Sequence, residues 1–323
     1  MPRSFSGARP TGRLHIGNYV GAIQNWVALQ DEMECYYCVV DLHALMSLNR
    51  AESLRENTYE MVLDWLAAGL DPNRSVLLLQ SRVPEVSELH LVLSMVTPMG
   101  WLTRVPTFKE KIRQQPDNIN YGLLGYPVLQ TADIILYKAD TVPVGEDQLP
   151  HLEMAREIVR RFTTVFGELF PEPYARLTAV PRVMGIDGAQ KMGKSLNNHI
   201  ELSATPAETE KRVRSMVTDP ARVYRTDLGH PEVCNVYTFH TLFSASEVDE
   251  IGTACRTAQI GCVDCKKNLA KNLNLHLEPF RERRAAFANK PQTVWDILGD
   301  GSDRARKVAR ETMAEVRERV GLC

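Results

Sequence analysis

Tyr36–Asp41 reads YYCVVD and Ser75–Gln80 reads SVLLLQ, two short apolar runs without polar alternation. Runs of that kind suit strands buried on both faces. Between them, over residues 51–70, Leu54, Tyr59, Val62, Leu63, Leu66 and Ala67 recur at helical spacing. Strand, helix and strand in succession predict a parallel sheet with right-handed crossovers. Upstream, FSGARPTGRLHIGNYVGAIQNW (Phe5–Trp26) leaves a strand through a turn broken by Gly7, Pro10, Gly12 and Gly17. It then enters a helix marked by Val20, Ile23 and Val27. Beyond about residue 190 the segments ATPAETEKRVRSMVTDP, SASEVDEIGTACRTAQIGCVDCKKNLAKNLNLHLEPFRERRAAF and SDRARKVARETMAEVRERV all read as helices, with Ser302 as N-cap of the last. The expected architecture is α/β: a parallel-sheet domain followed by a smaller all-helical one.

The 323 residues are 44% hydrophobic, enough for a sizeable core, which excludes a disordered tail or a disulfide-stapled mini-domain. Thirty-eight Lys and Arg against 40 Asp and Glu leave a net charge of −2. A protein that wraps duplex is visibly basic, so no DNA partner is expected and any RNA contact must be local. The longest apolar stretches are interrupted, as by Asp64 in MVLDWLAAGL, so no membrane span is expected. Seven cysteines cannot all pair, and the opening MPRSFSGARP is not a signal segment, so a reducing cytoplasm is the expected location.

Three loops point to a nucleotide. HIGN (His15–Asn18) opens a helix, where unpaired N–H groups and the dipole favour a phosphate; His15 and Asn18 add donors and Gly17 permits close approach. KMGKS (Lys191–Ser195) sets two lysines and a hydroxyl on a Gly-containing loop suited to polyphosphate. VPVGEDQ (Val142–Gln148) ends a strand at turn residues, with Asp147 for a ribose hydroxyl and Gln148 for a polar group of the substrate. Each alone is an ordinary polar turn. A fourth feature lies in YPVLQTADIILY, where Tyr126, Gln130 and Asp133 stand at i, i+4 and i+7 on one helix face. A carboxylate in an apolar slot suits an indole N–H, which only donates, although a phenol hydroxyl also donates.

In this order the motifs resemble class I aminoacyl-tRNA synthetases, with Asn18 and Gly193 departing from the commoner histidine and serine. VDLHAL (Val40–Leu45), PVGEDQ and QTADIILYKAD resemble the bacterial tryptophanyl-tRNA synthetases in particular, over essentially the whole chain. The resemblance implies a tryptophan–tRNA ligase that forms tryptophanyl-adenylate from ATP and L-tryptophan and then charges tRNA(Trp). A tyrosyl-tRNA synthetase or a non-catalytic RNA-binding relative are the alternatives. It implies a Rossmann-like catalytic domain over residues 1–185, completed by a helix over 302–320, and a helical anticodon-binding domain over 186–295, in a homodimer. ATP is implied at Arg9, Pro10, Thr11, Gly17, Asn18, Gly145, Glu146, Asp147, Val183, Lys191, Met192, Gly193, Lys194 and Ser195; Arg9 replaces a glutamine common in relatives. Phe5, Val142 and Val144 are implied to wall the indole, Asp133 to accept its N–H, and His43, Tyr126, Gln130 and Gln148 to surround the amino acid's polar end and the rim. Tryptophan's carboxylate is already ionised and needs no general base. Catalysis is therefore expected from positioning and from stabilising the departing pyrophosphate by Lys111, Lys191, Lys194, Mg²⁺ and the turn at His15 and Asn18.

Cys234, Cys255, Cys262 and Cys265 follow C-x20-C-x6-C-x2-C. Four thiolates hold either tetrahedral zinc or a [4Fe–4S] cluster, and spacing does not decide; the resemblance, to relatives with a slightly longer first gap, favours the cluster over Zn²⁺. Cys35 and Cys38 fall on opposite faces of a strand, which suits no shared metal. Residues 266–290 carry seven Lys or Arg and two Glu. Beside the implied catalytic domain this reads as an anticodon-stem contact through phosphates, with Lys266, Lys267, Arg283 and Arg284 as candidates.

Overall fold

A computed structural model describes residues 1–46, 52–105, 108–109, 112–113, 119–177 and 183–322. Five parallel strands, β1 (Arg3–Ala8), β2 (Glu34–Val39), β3 (Ser75–Leu79), β4 (Thr141–Val144) and β5 (Tyr174–Leu177), form a sheet in the order β3-β2-β1-β4-β5. The two expected strands are β2 and β3, and both are almost wholly buried. β5, half exposed and interrupted by Arg176, carries no apolar run to announce it.

After β1 the chain forms α1 (Ile16–Asn18), a π-helical stretch (Tyr19–Ile23) and α2 (Gln24–Leu29), then α3 (Asp41–Ala44) and α4 (Glu52–Ala68). Next come α5 (Glu85–Val96), α6 (Met99–Leu102), α7 (Tyr121–Ile135) and α8 (Leu149–Phe166). The remaining helices are α9 (Pro206–Arg214), α10 (Asn235–Phe243), α11 (Val248–Arg256), α12 (Cys262–Ala288) and α13 (Pro291–Val320).

Alternation along β2 divides the core. Cys35, Tyr37 and Val39 pack with α2, α4 and α12, whereas Tyr36 and Cys38 pack with Phe5, α5, α7 and α8. Cys35 and Cys38 therefore do lie on opposite faces. From Met61 to Ala68 every residue of α4 is buried, because it lies between the sheet and α12.

The last helix corrects one expectation. Ser302 is not an N-cap; it sits inside α13, which begins at Pro291. β3 is an edge strand, and an edge needs its bare N–H and C=O groups covered. α13 covers them: the Leu79 amide donates to Ser302 Oγ at 3.0 Å, and Arg304 donates to the carbonyls of Pro72 and Ser75. The helix crosses from one core to the other there, with Val294 and Leu298 before the crossing and Ala305, Ala309, Met313 and Val316 after it.

Candidate active site

Strand order reverses between β1 and β4, which opens a crevice at their carboxyl ends, the usual ligand position of such sheets. Arg9, Pro10 and Thr11 leave β1 there, and Gly145 and Glu146 leave β4 there, with Gly145 accepting from the Gln148 amide at 3.0 Å. The side chain of Asp147, and the whole of Lys111, lie outside the described residues.

His15 caps α1 and refines the expectation made for it. Its Nδ1 accepts from the Asn18 amide at 3.3 Å, while Asn18 Oδ1 accepts from the His15 amide at 3.1 Å. Burial, then the fields of His199, Lys194 and Lys191, lower the His15 pKa to about 4. At neutral pH the ring is uncharged, and because Nδ1 accepts, Nε2 carries the proton. His15 is thus a neutral donor, and Asn18 holds the turn as well as offering its amide.

The lysine loop folds onto this turn. Gly17 N–H donates to Met192 Sδ at 3.4 Å, Lys194 Nζ to Thr11 O at 2.7 Å, and Met192 N–H to Val183 O at 3.1 Å. A Cβ on Gly17 would meet His15 and Met192 at 3.1–3.2 Å, so the two motifs meet because that residue lacks a side chain. Lys191 and Ser195 are exposed; desolvation lowers the pKa of half-buried Lys194. Gly193 adopts extended backbone (φ −165°), and a Cβ there would meet only Lys191 O at 3.9 Å. The glycine is therefore not required by the backbone conformation.

Sequence reasoning missed what shapes the loop. Buried Asn198 accepts from the Gly193 amide at 2.8 Å and donates to Asp187 at 2.9 Å and to Lys191 O at 3.3 Å. A polar residue right after the lysine motif is the only local signal.

On the other face Phe5 stacks on Tyr137 at 5.7 Å and packs in one cluster with Val142, against which Val144 is half buried. Tyr126, half-buried Gln130 and Asp133 all lie on α7. Asp133 is buried, but not in an apolar slot: one oxygen accepts from Gln80 Nε2 at 2.7 Å and the other lies 2.9 Å from His43 Nε2. His43 thus meets the carboxylate itself, because a buried carboxylate needs donors. Gln80, also missed, has its amide oriented by the Leu42 N–H, which donates to its oxygen at 3.1 Å. At the other end Tyr126 Oη lies 2.7 Å from His151 Nε2, and His151 Nδ1 lies 3.1 Å from Gln148 Oε1.

Cys262 and Cys265 open α12, Cys255 stands near the end of α11, and Cys234 precedes α10. Burial pushes the Cys265 thiol up to about 12, with Cys234, Cys255 and Cys262 adding to the rise. Burial also raises Cys255, opposed by Arg222, whose guanidinium lies 3.7 Å from its sulfur. Among the described residues no three His, Cys, Asp or Glu side chains stand close enough to hold a metal ion. The four side chains are free thiols.

The basic stretch is corrected in part. Arg283 donates to Ala67 O at 2.6 Å, and Arg284 pairs with Asp64 and Glu60. These contacts fasten α12 to α4; Arg284 is mostly buried and is not presented to a phosphate backbone, whereas the Arg283 side chain stays exposed. Lys266 donates to Arg214 O at 2.9 Å, and exposed Lys267 lies 3.6 Å from Asp264.

Residues 1–278 match the family of class I tRNA synthetases described as W and Y. The tryptophan–tRNA ligase of Thermotoga maritima is 47% identical over 330 residues, covering 99% of each chain. That of Deinococcus radiodurans is 45% identical over 328 residues, covering 100% of this chain and 99% of the other. The crystal structure of tryptophanyl-tRNA synthetase from Campylobacter jejuni complexed with ADP and tryptophan superposes with a TM-score of 0.90 at 36% identity, over 99% of this chain and 100% of that one. No helix among the described residues is long and apolar enough to cross a membrane.

Proposed function

Because the chain belongs to the tryptophan- and tyrosine-type class I tRNA synthetases and is a tryptophan–tRNA ligase, we propose a division of labour among its residues. ATP lies across the crevice: Arg9, Pro10, Thr11, Gly17, Asn18, Gly145, Glu146, Asp147 and Val183 hold the nucleoside side, and Lys191, Met192, Gly193, Lys194 and Ser195 the phosphates. Tryptophan lies between Phe5, Val142 and Val144, with its indole N–H toward Asp133 and its polar end toward Tyr126, Gln130 and Gln148.

The observation that carries this reading is the interlock of the His15 turn with the lysine loop through Gly17, Met192, Lys194 and Thr11. The fields of Lys194 and Lys191 reach His15 there, which supports a common phosphate seat for the neutral ring and the two ammonium groups. The tryptophan carboxylate attacks the α-phosphate, and the bond to pyrophosphate breaks. Lys111, Lys191, Lys194 and His15 stabilise the charge that leaves, and Mg²⁺ carried by ATP neutralises part of it. A terminal ribose hydroxyl of tRNA(Trp) then displaces AMP. In tryptophan-dependent ATP–pyrophosphate exchange, Lys194→Ala should lower kcat by about a hundredfold while the Kd for tryptophan stays within about twofold. Unchanged exchange would refute the role given to Lys194.

Four further assignments follow. Residues 1–185 with the helix 302–320 form the catalytic domain, and 186–295 the anticodon-binding domain, with Lys266 and Lys267 as tRNA contacts. Cys234, Cys255, Cys262 and Cys265 hold a [4Fe–4S] cluster in preference to Zn²⁺; their thiols must lose protons as it binds, and a colourless zinc protein after anaerobic purification would exclude the cluster. The exposed apolar side chains of Leu91, Met95, Met99, Ile119 and Tyr121 on and beside α5, α6 and α7 support a homodimer, testable by sedimentation. The free cysteines support a cytoplasmic location.

A further inference from the structure

Asp64 interrupts the apolar stretch MVLDWLAAGL, and none of its surface is exposed. A carboxylate removed from water must be met by donors and opposite charge, or it gives up its ionised form. One oxygen accepts from the Leu14 amide at 2.6 Å and the other from Arg284 Nε at 2.6 Å. Arg284, itself mostly buried, also pairs with Glu60, and Glu60 accepts from Arg13 Nε at 2.8 Å. Arg13 in turn lies 3.7 Å from Glu201.

These charges enclose one piece of backbone. Glu201 bridges His15 in an antiparallel pair, the Ile16 amide donates to Ile200 O at 2.9 Å, and the Leu202 amide donates to Leu14 O at 3.0 Å. The residues on both sides of His15 are thus gripped, Leu14 from α4 and Ile16 from the segment after the lysine loop. Burial raises the Asp64 pKa to about 6, and Arg284 and the Leu14 amide oppose that rise. The ion pair therefore decides whether the grip on Leu14 is a charged one.

We propose that Asp64 and Arg284 are positioning residues for adenylate formation: together they hold the Leu14 amide, and through it the neighbouring His15, in register with the lysine loop. Neither touches the reactants. Arg284 lies on α12, the helix that begins with Cys262 and Cys265, so the same ion pair couples the turn to the position of that helix. The proposal rests on the reading of the His15 turn as a seat for ATP.

The test is tryptophan-dependent pyrophosphate exchange with the full-length protein, its Asp64→Asn, Arg284→Gln and Arg284→Lys variants, and the double variant Asp64→Asn with Arg284→Gln. Misplacing a reacting group by about 1 Å costs up to about a hundredfold, so kcat/KM for ATP should fall by at least about tenfold in the single variants. The Kd for tryptophan should stay within about twofold, the double variant should be no worse than the worse single one, and Arg284→Lys should recover part of the loss. A folded Asp64→Asn protein with ATP parameters within about twofold of the parent overturns the proposal. Lys194→Ala, run beside it, separates the two readings: if that variant is also unaffected, the ATP seat is wrong; if it alone is impaired, only the positioning role is. Amide exchange on the unaltered protein needs no variant. Leu14 should exchange as slowly as the buried amides of α4, and a fast-exchanging Leu14 overturns the proposal whatever the variants do.

Discussion

Gly301 lies where α13 crosses the edge of β3, and a Cβ there would stand 1.9 Å from Leu77 O and 2.8 Å from Leu77 C. Both are backbone atoms of a strand paired to β2, so neither can swing aside. In Gly301→Ala the helix must retreat by roughly 1.5 Å to reach an ordinary contact of 3.4 Å. That retreat loosens Leu298, Ala305 and Ala309, all essentially without exposed surface, and stretches the bond from Leu79 N–H to Ser302 Oγ. Overpacking of this severity costs about 3 kcal/mol, and the better helix propensity of alanine returns about 1, leaving a loss of about 2 kcal/mol. At about 2–4 °C per kcal/mol for a large domain, Tm should fall by about 4–8 °C. Thermal unfolding followed by circular dichroism measures it, with Gly21→Ala as comparator. No atom lies within 4 Å of a Cβ at Gly21, so the same substitution there should raise Tm by about 2–4 °C. A Gly301→Ala protein as stable as the parent would refute the close crossing, and with it the covering of the β3 edge by α13.

Two other outcomes are expected. Gln80→Leu removes the donor to Asp133 Oδ1, a hydrogen bond to a charged group worth about 1.5–3 kcal/mol, and should raise KM for tryptophan about tenfold or more with KM for ATP unchanged. An unaltered tryptophan KM would mean that the aim of Asp133 does not matter. His15, lowered to about 4 by burial and nearby cations, binds a proton less readily in the folded than in the unfolded chain. Its contribution makes stability rise with pH from about 4 to about 6.5, level above that, and fall away as pH drops through the window. Titration of the ring by NMR should give a midpoint near 4 with the proton on Nε2 at neutral pH, and a midpoint near 6.5 would sink that account.

Features with a local cause are legible in the sequence. The apolar runs of β2 and β3 report strands buried on both faces, and the spacing of Tyr126, Gln130 and Asp133 reports one helix, because side-chain direction repeats with backbone geometry. The opposite faces of Cys35 and Cys38 follow from the same alternation. β5 was not legible, since four residues interrupted by Arg176 make no apolar run. Ser302 was misplaced because a serine before a helical pattern reads as a cap, whereas its hydroxyl answers an amide more than 200 residues away.

The amino-acid sequence by itself determined the alternation of strand and helix, the glycine turn and lysine loop that suit phosphate, and the set of four thiols. Only the tertiary structure decided which polar groups meet. It turned Arg284 from a candidate RNA contact into the partner of Asp64, set His43 against Asp133, and brought Gln80 and Asn198 into the site. Periodicity and turn chemistry act over a few residues and leave a pattern along the chain. The partner of a buried charge is selected by desolvation, which acts between segments only after they have packed.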